Sequence, residues 1–309
     1  MTGGAGFIGS NLVAYLLRHN AGKVIVLDNL STGFVENIKV FYPNPRFKFI
    51  HADICDIGKV MEACIGVDHV FHEAALGSVP RSIDDPVSTH NVNASGFLSV
   101  LVAARDAGVK RVVYASSSSV YGDSTEIPKT EGNIGRPLSP YAVSKLVNEF
   151  YADIFCRTYQ MEVIGLRYFN IFGPNQNPKG EYAAAVPLFI DGLLKNKPVF
   201  INGDGEQTRD FTFVENAVQA NVKAMFCENF EAIGEVFNIA FGTKISINKL
   251  FAVLKDLTGS ELEASYRNSR PGDVRESLAD ISKAVQVLGY HPMVSIEEGL
   301  KRTVDWFSK

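Results

Sequence analysis

Cysteine is scarce in this sequence, and the cysteines that are present form no recognisable pattern. The four of them, Cys55, Cys64, Cys156 and Cys227, are scattered over 309 residues, with no C-x-x-C spacing and no companion histidines. Zinc sites and disulfide frameworks need regularly spaced cysteines. The sequence therefore predicts reduced core thiols in a cytoplasmic protein.

The histidines do not indicate a metal site either. His51, His69 and His72 lie close together along the chain, but no pattern of carboxylate ligands accompanies them. A first-row metal site would need both kinds of ligand at suitable spacing. We predict core or loop histidines and no bound metal.

The chain also lacks a charge excess and long hydrophobic runs. A net charge of −4 provides no basic surface for nucleic acid or anionic lipid. The apolar runs, such as Lys23–Leu27, are of strand length and far short of the roughly 20 residues that cross a bilayer. No charged-then-apolar leader precedes the first motif, so no export signal is predicted. We expect neither nucleic acid nor membrane as a partner, and any phosphate must be held by a few placed cations and backbone amides.

Short apolar runs alternate with amphipathic stretches through the first half of the chain. This alternation predicts βαβ units and an α/β fold with a doubly wound parallel (Rossmann) sheet. The predicted strands are Lys23–Leu27, Phe47–Ile50, His69–His72, Arg111–Ala115 and Glu162–Leu166. The predicted helices are Ser10–Arg18, Ile57–Cys64, Val87–Ala107 and Tyr141–Tyr159.

The pattern changes after about Arg167, where loops rich in Gly, Pro and Asn separate shorter elements. These loops are Phe172–Gly180, Asn202–Gln207 and Arg270–Asp273. We predict a Rossmann domain over residues 1–167 and a smaller α+β domain over most of 168–309. Glu235–Ile239 is predicted to return to the sheet as a further strand.

The first motif of the chain, Thr2–Gly9, reads T-G-G-A-G-F-I-G and comes before a helical pattern. Glycines at positions 3, 6 and 9 let the backbone turn tightly and approach a pyrophosphate at the helix N-terminus. Asp28 ends the next strand, where a carboxylate accepts both ribose hydroxyls of NAD and repels a 2′-phosphate. Asn29, not an arginine, follows it, so NAD is favoured over NADP. The alternative role of Asp28 is that of a turn former.

Two features of the predicted sheet domain leave alternatives open. Asp53 follows the third predicted strand, where it either closes the adenine pocket or caps a helix N-terminus. The glycine motif begins at Thr2, so the central first strand of the sheet is reduced to Met1. Either the sheet tolerates this short strand, or the natural start lies upstream; a missing strand would expose the edges of its neighbours.

A second motif, Y-x-x-x-K, is formed by Tyr141 and Lys145 at the start of a predicted helix. Residues four apart share a helix face, and a nearby cation lowers a tyrosine pKa, so the phenolate becomes a usable base. Ser116–Ser119 follow the strand Arg111–Ala115, at the carboxyl end where α/β sites form. A surface Tyr–Lys pair and a polar serine loop are the alternatives; together with the glycine motif, a catalytic site is favoured.

On these motifs the chain resembles the extended short-chain dehydrogenases/reductases and, within them, the UDP-hexose and UDP-N-acetylhexosamine 4-epimerases. The resemblance extends over the whole length, through TGGAGFIG, LDNLSTG, HADI, HEAALGSVPRS, NVNASG, YASSSSVYGD, SPYAVSK, RYFNIFGP, TRDFTFVEN and RPGDV. It implies that Ser117 is the catalytic serine, Tyr141 the base, and Lys145 the activator of the tyrosine and a ribose ligand. The implied contacts of NAD are Gly3, Gly6, Phe7, Ile8, Gly9, Asp28, Asn29, Asp53, Ile54, Ala74, Ala75, Asn93, Tyr141, Lys145 and Tyr168.

The resemblance also implies a reaction and separates it from related ones. Tyr141 removes the 4-hydroxyl proton while hydride passes to NAD, and the 4-keto sugar turns and takes the hydride back. Related dehydratases and decarboxylases have an acidic residue where Ser118 and Ser119 stand here. UDP-glucuronate 4-epimerases share the serine run but differ at Asn170. A UDP-glucuronate 4-epimerase and a non-catalytic NAD-binding regulator remain the alternatives.

The substrate contacts that the resemblance implies lie mostly in the predicted second domain. Arg209 and Arg270 suit a diphosphate, Asp273 the uridine ribose, and Ser277 stands where enzymes restricted to plain hexoses have a tyrosine gate. The other implied contacts are Gly77, Ser78, Ser118, Ser119, Asn170 and Gln176. Serine at 277 leaves room for a 2-acetamido group. UDP-N-acetylglucosamine and UDP-N-acetylgalactosamine are therefore the predicted substrates, with UDP-glucose and UDP-galactose as additional candidates. The resemblance also implies a homodimer formed through Val87–Ala107 and Tyr141–Tyr159.

Overall fold

A computed structural model describes residues 1–179, 183–269 and 274–309, in which strands and helices alternate through the first half of the chain. The strands are β1 (Val24–Asp28), β2 (Phe47–His51), β3 (His69–His72), β4 (Arg111–Ser117), β5 (Glu162–Tyr168), β6 (Ile171–Phe172), β7 (Val199–Asn202), β8 (Thr208–Arg209), β9 (Thr212–Phe213), β10 (Val236–Ile239), β11 (Ile245–Ser246) and β12 (Ala264–Arg267). The helices are α1 (Phe7–Arg18), α2 (Ile57–Cys64), α3 (Val79–Asp84), α4 (Pro86–His90), α5 (Gly96–Asp106), α6 (Pro140–Tyr159), α7 (Ala185–Leu194), α8 (Val214–Met225), α9 (Ile247–Thr258), α10 (Ser282–Leu288) and α11 (Ile296–Phe307).

The main sheet is parallel throughout. One part has the strand order β10-β5-β4-β3, and the other pairs β1 with β2. Residues 1 and 2 lie between these parts: Thr2 bridges both Leu27 and His72, and the Met1 carbonyl accepts the Leu27 N–H at 2.9 Å. The predicted strands of the first half are confirmed, and β10 confirms the predicted return of the chain to the sheet.

Strand β4 explains why the sheet is buried on both faces. Its residues alternate, because successive side chains of a strand point to opposite sides. Val112 and Tyr114 contribute to the core beneath α2, α5 and α6, whereas Val113 and Ala115 contribute to the core shared with α1, α8 and α10. The result is a three-layer α/β/α sandwich, the Rossmann-type fold predicted from the sequence.

A second hydrophobic core lies outside the sandwich. It combines α7, α9 and α11 with short strand pairs: β6 with β9, β7 with β12 and β8 with β11. Phe172, Phe213 and Phe251 are among its buried side chains. Phe7 at the start of α1 packs against this core, so the glycine loop lies at the junction of the two cores. No helix in the described ranges is long and apolar enough to span a membrane.

The helix predicted over Val87–Ala107 is not continuous. Asp85 caps α4 by accepting the Ser88 N–H at 3.0 Å, Pro86 opens it, and one π-helical turn over Asn91–Ser95 separates it from α5. A Cβ on Gly96 would lie 2.6 Å from Cδ1 of Ile54, so the chain passes very close to Ile54 at this point. Apolar periodicity alone does not reveal such a turn, since a π turn adds one residue to the repeat.

Candidate active site

Tyr141 and Lys145 lie in the first turns of α6, directly beside the carboxyl end of β4. Ser139 fixes where the helix begins, because its Oγ accepts the Ala142 N–H at 3.1 Å and Pro140 occupies the first helical position. The Lys145 side chain is buried, and its Nζ donates to the Ala115 carbonyl at 2.7 Å. The helix cap thus determines where both residues of the Y-x-x-x-K motif stand relative to β4.

Ser117 is the last residue of β4, and its hydroxyl accepts the Ser119 N–H at 3.2 Å. Burial raises the pKa of Tyr141, and the Ser117 side chain opposes the increase. The Lys145 ammonium group donates to the Ala115 carbonyl, and the lowering of the Tyr141 pKa by Lys145 stays a prediction. Burial lowers the pKa of Lys145 to about 8, while Glu73 and Glu149 oppose that decrease.

The other serines of the run have different environments. Ser116 Oγ donates to Glu149 at 2.6 Å, and Glu149 forms a bidentate ion pair with the buried Arg167 at 2.8 and 2.7 Å. Ser118 and Ser119 lie in a 3₁₀ turn, where the Ser119 Oγ is buried without a hydrogen-bond partner in the described part of the chain. Ser117 is the serine of the run that affects the Tyr141 pKa, and Ser116 anchors the strand end to α6.

A cavity beside the glycine loop matches the predicted dinucleotide site. Its lining residues are Gly3, Gly6, Leu27, Asp28, Asn29, Ser31, Thr32, Ala52, Ile54, Glu73, Ala74, Ala75 and Val92. Gly3 has φ +70°, and a Cβ there would lie 2.5 Å from the Ala74 nitrogen, so only glycine lets the loop approach the end of β3. Helix α1 begins one residue after Gly6, which directs its N-terminus at this cavity. The residues fit a dinucleotide.

Asp28 lines the cavity and also organises the loop. Its two oxygens accept the backbone N–H groups of Ala5 at 2.9 Å and Leu30 at 2.8 Å. A carboxylate has further lone pairs, so these bonds leave it able to accept a ribose hydroxyl. Asn29, also in the lining, donates its side-chain amide to Asp53 at 2.7 Å.

The alternative role considered for Asp53, a helix cap, is wrong. Asp56 caps α2 by accepting the Lys59 N–H at 3.1 Å. Asp53 instead accepts the Cys55 N–H and the Asn29 amide, and these bonds outweigh its partial burial and lower its pKa. It thereby supports Asn29 from outside the lining of the cavity.

Several other residues predicted to contact the cofactor lie behind the cavity. Asn93 bonds both the N–H and the carbonyl of Leu76, at 2.8 and 3.2 Å, and donates to Ser144 of α6. Gly9 packs α1 on the loop, because a Cβ there would lie 2.2 Å from the Gly3 oxygen. Phe7 and Ile8 pack against the hydrophobic cores. These residues support the elements around the cavity without lining it.

Glu73 is the residue that sequence reasoning missed. It lines the cavity, and its Oε1 accepts the Tyr168 hydroxyl at 2.8 Å, which in turn accepts the Asn221 amide at 2.6 Å. Burial raises the pKa of Glu73 to about 7, against the effects of Tyr168 and Lys145. An acidic residue at the end of an otherwise apolar strand was the available signal.

A second cavity, of about 260 Å³, opens among the short strands. The predicted substrate residues Asn170 and Arg209 line it; Phe200, Asn202, Gln207 and Arg267 were missed. The other lining residues are Ile171, Phe172, Ala183, Ala184, Ala185, Val186, Leu188, Phe189, Ile201, Phe211 and Ile247. Residues 168–171 connect the two regions, because Tyr168 is bonded to Glu73 of the first cavity and Asn170 and Ile171 line the second.

The remaining predicted substrate residues have varied positions. Gly77 is exposed, and the Ser78 hydroxyl caps α3 by accepting the Arg81 N–H at 3.2 Å. Gln176 donates to the Ile171 carbonyl at 3.3 Å, and the Ser277 N–H donates to Thr208, the neighbour of Arg209, at 3.2 Å. Arg270 and Asp273 lie outside the described residues.

Asp210, next to Arg209, joins its own segment to those of Phe241 and Ala279. It is fully buried, and its carboxylate accepts N–H groups of Phe241, Gly242 and Ala279 at 3.1 to 3.3 Å. Burial raises its pKa to about 7 despite these bonds. Its carbonyl accepts the Asn170 amide at 3.2 Å, so Asp210 helps to position both Asn170 and Arg209.

The histidines singled out in the sequence are engaged in local contacts. His72 is buried and its Nδ1 lies 2.8 Å from the Thr2 hydroxyl, while the His69 ring contacts Phe226. Within residues 1–179, 183–269 and 274–309, no cluster of three His, Cys, Asp or Glu side chains is arranged to hold a metal ion.

Comparison with known proteins agrees with this geometry. A "Putative UDP-glucose 4-epimerase" of Methanocaldococcus jannaschii is 41% identical over 99% of this chain and 97% of its own. The Thermotoga maritima UDP-glucose 4-epimerase, solved with UDP-glucose, is 40% identical with a TM-score of 0.93 over 99% and 97% of the two chains. The UDP-N-acetylglucosamine 4-epimerase of Methanobrevibacter ruminantium, in complex with UDP-N-acetylmuramic acid, is 38% identical with a TM-score of 0.93 over 99% and 96%. Residues 1–240 match the model of the NAD dependent epimerase/dehydratase family, and the chain belongs to that family.

Proposed function

We propose that this protein is a UDP-sugar 4-epimerase that prefers N-acetylhexosamines and interconverts UDP-N-acetylglucosamine and UDP-N-acetylgalactosamine. The observation that carries the proposal is that Ser117, at the end of β4, and Tyr141 and Lys145, at the start of α6, lie where the two elements meet, with Lys145 buried and bonded to the Ala115 carbonyl. This group lies beside a cavity that fits a dinucleotide and close to a second cavity suited to the substrate.

The chain's own residues supply proton transfer and orientation. Bound NAD supplies a reversible hydride acceptor. Tyr141 takes the proton of the sugar 4-hydroxyl and later returns it, and Ser117 bonds the same oxygen. Lys145, one helical turn from Tyr141, would bind the cofactor ribose, and Ser117 opposes the burial that raises the pKa of Tyr141. The reaction has no net oxidation, so one bound cofactor serves repeated turnovers.

The second cavity has the composition that a uridine diphosphate requires. Phe189, Phe200 and Val186 offer apolar surface to a base, and Arg209 offers a cation to the diphosphate in a protein of net charge −4. The Arg267 guanidinium lies 5.3 Å from the Phe200 ring centroid and bonds Asn202 at 2.7 Å, which fixes the mouth of the cavity.

The elimination reactions of related enzymes are disfavoured by the residues beside the serine. Elimination needs an extra acid or base near the sugar, and Ser118 and Ser119 occupy those positions. Glu149 accepts the hydroxyl of the neighbouring Ser116 and forms an ion pair with Arg167, so it is not free for proton transfer. A 4-epimerase needs no such group.

The preference for an acetylated sugar depends on Ser277. Its backbone is hydrogen bonded to Thr208, so residue 277 stands beside the strand that carries Arg209. A serine there leaves space that a tyrosine would fill. UDP-glucuronate 4-epimerase activity is the alternative; Asn170, in the wall of the substrate cavity, supports a neutral sugar instead.

The proposal includes a homodimer in the cytoplasm. Five apolar side chains are exposed on adjoining helices: Ile83 of α3, Val87 of α4, and Val143, Phe150 and Ile154 of α6. A contiguous apolar face of this kind is typical of a protein–protein interface. The four cysteines are free thiols, which suits a reducing compartment.

The substrate proposal is tested by incubating the protein separately with UDP-N-acetylglucosamine and UDP-glucose and resolving the epimers by NMR. We expect faster conversion of the acetylated sugar. Ser277→Tyr should lose the acetylated substrate and keep the plain hexose, because the larger side chain fills the space of the acetamido group. Equal loss of both substrates would contradict the role of Ser277.

A further inference from the structure

Glu73 occupies a position in the cofactor cavity that the proposed proton transfer does not use. It follows β3 directly, and its N–H donates to the Thr2 carbonyl at 3.1 Å, so the glycine loop lies against it. The hypothetical Cβ of Gly3 would come within 2.7 Å of the Glu73 carbonyl carbon. The carboxyl group is therefore fixed relative to the loop that receives the dinucleotide.

The surroundings of Glu73 place it at the reacting end of that cavity. Asp28 marks the opposite, adenosine end, because the carboxylate after the second strand serves the ribose of a dinucleotide. Tyr168, whose hydroxyl donates to Glu73, is paired with Ser117 across β4 and β5. Since Ser117 and Tyr141 act where hydride is exchanged, the Glu73 carboxyl lies near the nicotinamide position.

The hydrogen bonds around Glu73 favour its ionised form. The Asn221 amide donates to the Tyr168 hydroxyl, which donates to the Glu73 carboxyl. The Tyr168 hydroxyl donates directly to the carboxylate, the Asn221 amide holds that hydroxyl, and Lys145 adds a positive charge. Burial acts in the opposite direction and raises the pKa of Glu73 to about 7, so the group is largely ionised at pH 8.

We propose that the Glu73 carboxylate biases the cofactor site towards oxidised NAD. The nicotinamide ring is cationic in NAD⁺ and neutral in NADH, so a buried carboxylate nearby attracts only the oxidised form. Tyr168 and Asn221 position this carboxylate. In the proposed epimerisation, the sugar gives a hydride to the cofactor and a proton to Tyr141; the bias favours return of both to the sugar over release of the keto sugar.

The effect of Glu73 on turnover rests on the proposed function. Its effect on cofactor binding does not, and can be measured without a sugar substrate. Wild-type protein and Glu73→Gln are equilibrated at pH 8 with mixtures of NAD⁺ and NADH until the bound ratio is constant. The bound nucleotides are then released and quantified by chromatography. Glu73→Gln keeps an oxygen that accepts the Tyr168 hydroxyl and removes the charge, and it should lower the bound NAD⁺ to NADH ratio on the order of tenfold.

Asp28→Asn is the matched control. It alters a carboxylate at the adenosine end, which NAD⁺ and NADH share, so it should weaken both and leave their ratio unchanged. If Glu73→Gln does not fold, Glu73→Ala should lower the ratio in the same way. A ratio in the Glu73 variant within twofold of the wild type, or an equal decrease in Asp28→Asn, would overturn the inference; neither result bears on whether the protein epimerises UDP-sugars.

Discussion

The fold favours the neutral form of three titratable residues near the two cavities. This is the protonated form of Glu73 and Asp210 and the unprotonated form of His72. Glu73 and Asp210 are carboxyl groups whose pKa burial raises to about 7, whereas burial and then Lys145 lower the pKa of His72 to about 3. Each value follows from desolvation, which disfavours the charged form of acids and bases alike. The sequence shows none of this, because burial depends on residues that are far apart along the chain.

His72 leads to a prediction about acid stability. Its pKa in the folded protein lies below the ordinary value of 6.5, so the unfolded chain takes up a proton first as the pH falls. Its contribution to stability is therefore complete above pH 6.5 and is lost progressively as the pH falls towards 3, by up to about 1.4 kcal/mol per pH unit.

His72→Gln should therefore show a weaker loss of stability in acid, measured by urea unfolding at several pH values between 6.5 and 4. Glu73 and Asp210 act in the opposite direction, since their folded pKa values lie above the unfolded ones and their protonation favours the folded state. They are present in both proteins and cancel in the difference. Identical pH slopes for the two proteins would refute the account of His72.

Helix α6 contributes both to the active site and to the proposed dimer interface, because its first turn carries Tyr141 and its exposed face carries Phe150. The cap at Ser139 fixes that turn against β4. Glu149 of α6 accepts the Ser116 hydroxyl, and Ser144 of α6 accepts the Asn93 amide. Residues predicted to contact the cofactor and residues beside the substrate serines are therefore bonded to the same helix. Loss of the cap should therefore affect activity as well as stability.

We expect Ser139→Ala to destabilise the protein by about 1 kcal/mol and to lower kcat, because Tyr141 lies two residues into the helix. Ser295→Ala is the control: Ser295 caps α11 in the same way, by accepting the Glu298 N–H at 3.2 Å. It should cost similar stability with kcat unchanged. Equal kcat values for both variants would show that the cap does not position Tyr141.

The elements that the sequence predicted well are those whose pattern is local. Strand β3 and helix α2 have the predicted bounds, because a buried parallel strand is a continuous apolar run and α2 has a regular apolar spacing. The break at Asn91–Ser95 was not predictable, since it depends on the contact of Gly96 with Ile54 and of Asn93 with Leu76. The glycine motif and Y-x-x-x-K were visible as spacings; Glu73, Phe200 and Arg267 join their cavities only through the tertiary fold.

For the whole molecule, the arrangement of two cores explains why the reacting groups meet. The sandwich presents the carboxyl ends of its strands to the cofactor, and the second core holds the cavity that suits the substrate. Residues 168–171 connect the two, with Tyr168 bonded to Glu73 and Asn170 in the wall of the second cavity. The exposed face of α3, α4 and α6 belongs to the sandwich.

The proposed dimer predicts a specific effect of charge on that face. Phe150→Glu should convert the dimer to a monomer, since a carboxylate would be buried in an apolar interface. Phe230→Glu is the control, because Phe230 is also an exposed phenylalanine but belongs to none of α3, α4 and α6. Sedimentation velocity would compare the two. A dimer that persists in Phe150→Glu, or a wild-type monomer, would rule out this interface.

Epimerisation through transient oxidation at carbon 4 can be followed by incubating the protein with UDP-N-acetylglucosamine in D₂O and recording NMR spectra of the sugar. We expect UDP-N-acetylgalactosamine that retains protium at carbon 4, because the hydride never exchanges with solvent, and no product with Tyr141→Phe. Deuterium at carbon 4, or epimer formation that continues without the Tyr141 hydroxyl, would rule out this mechanism.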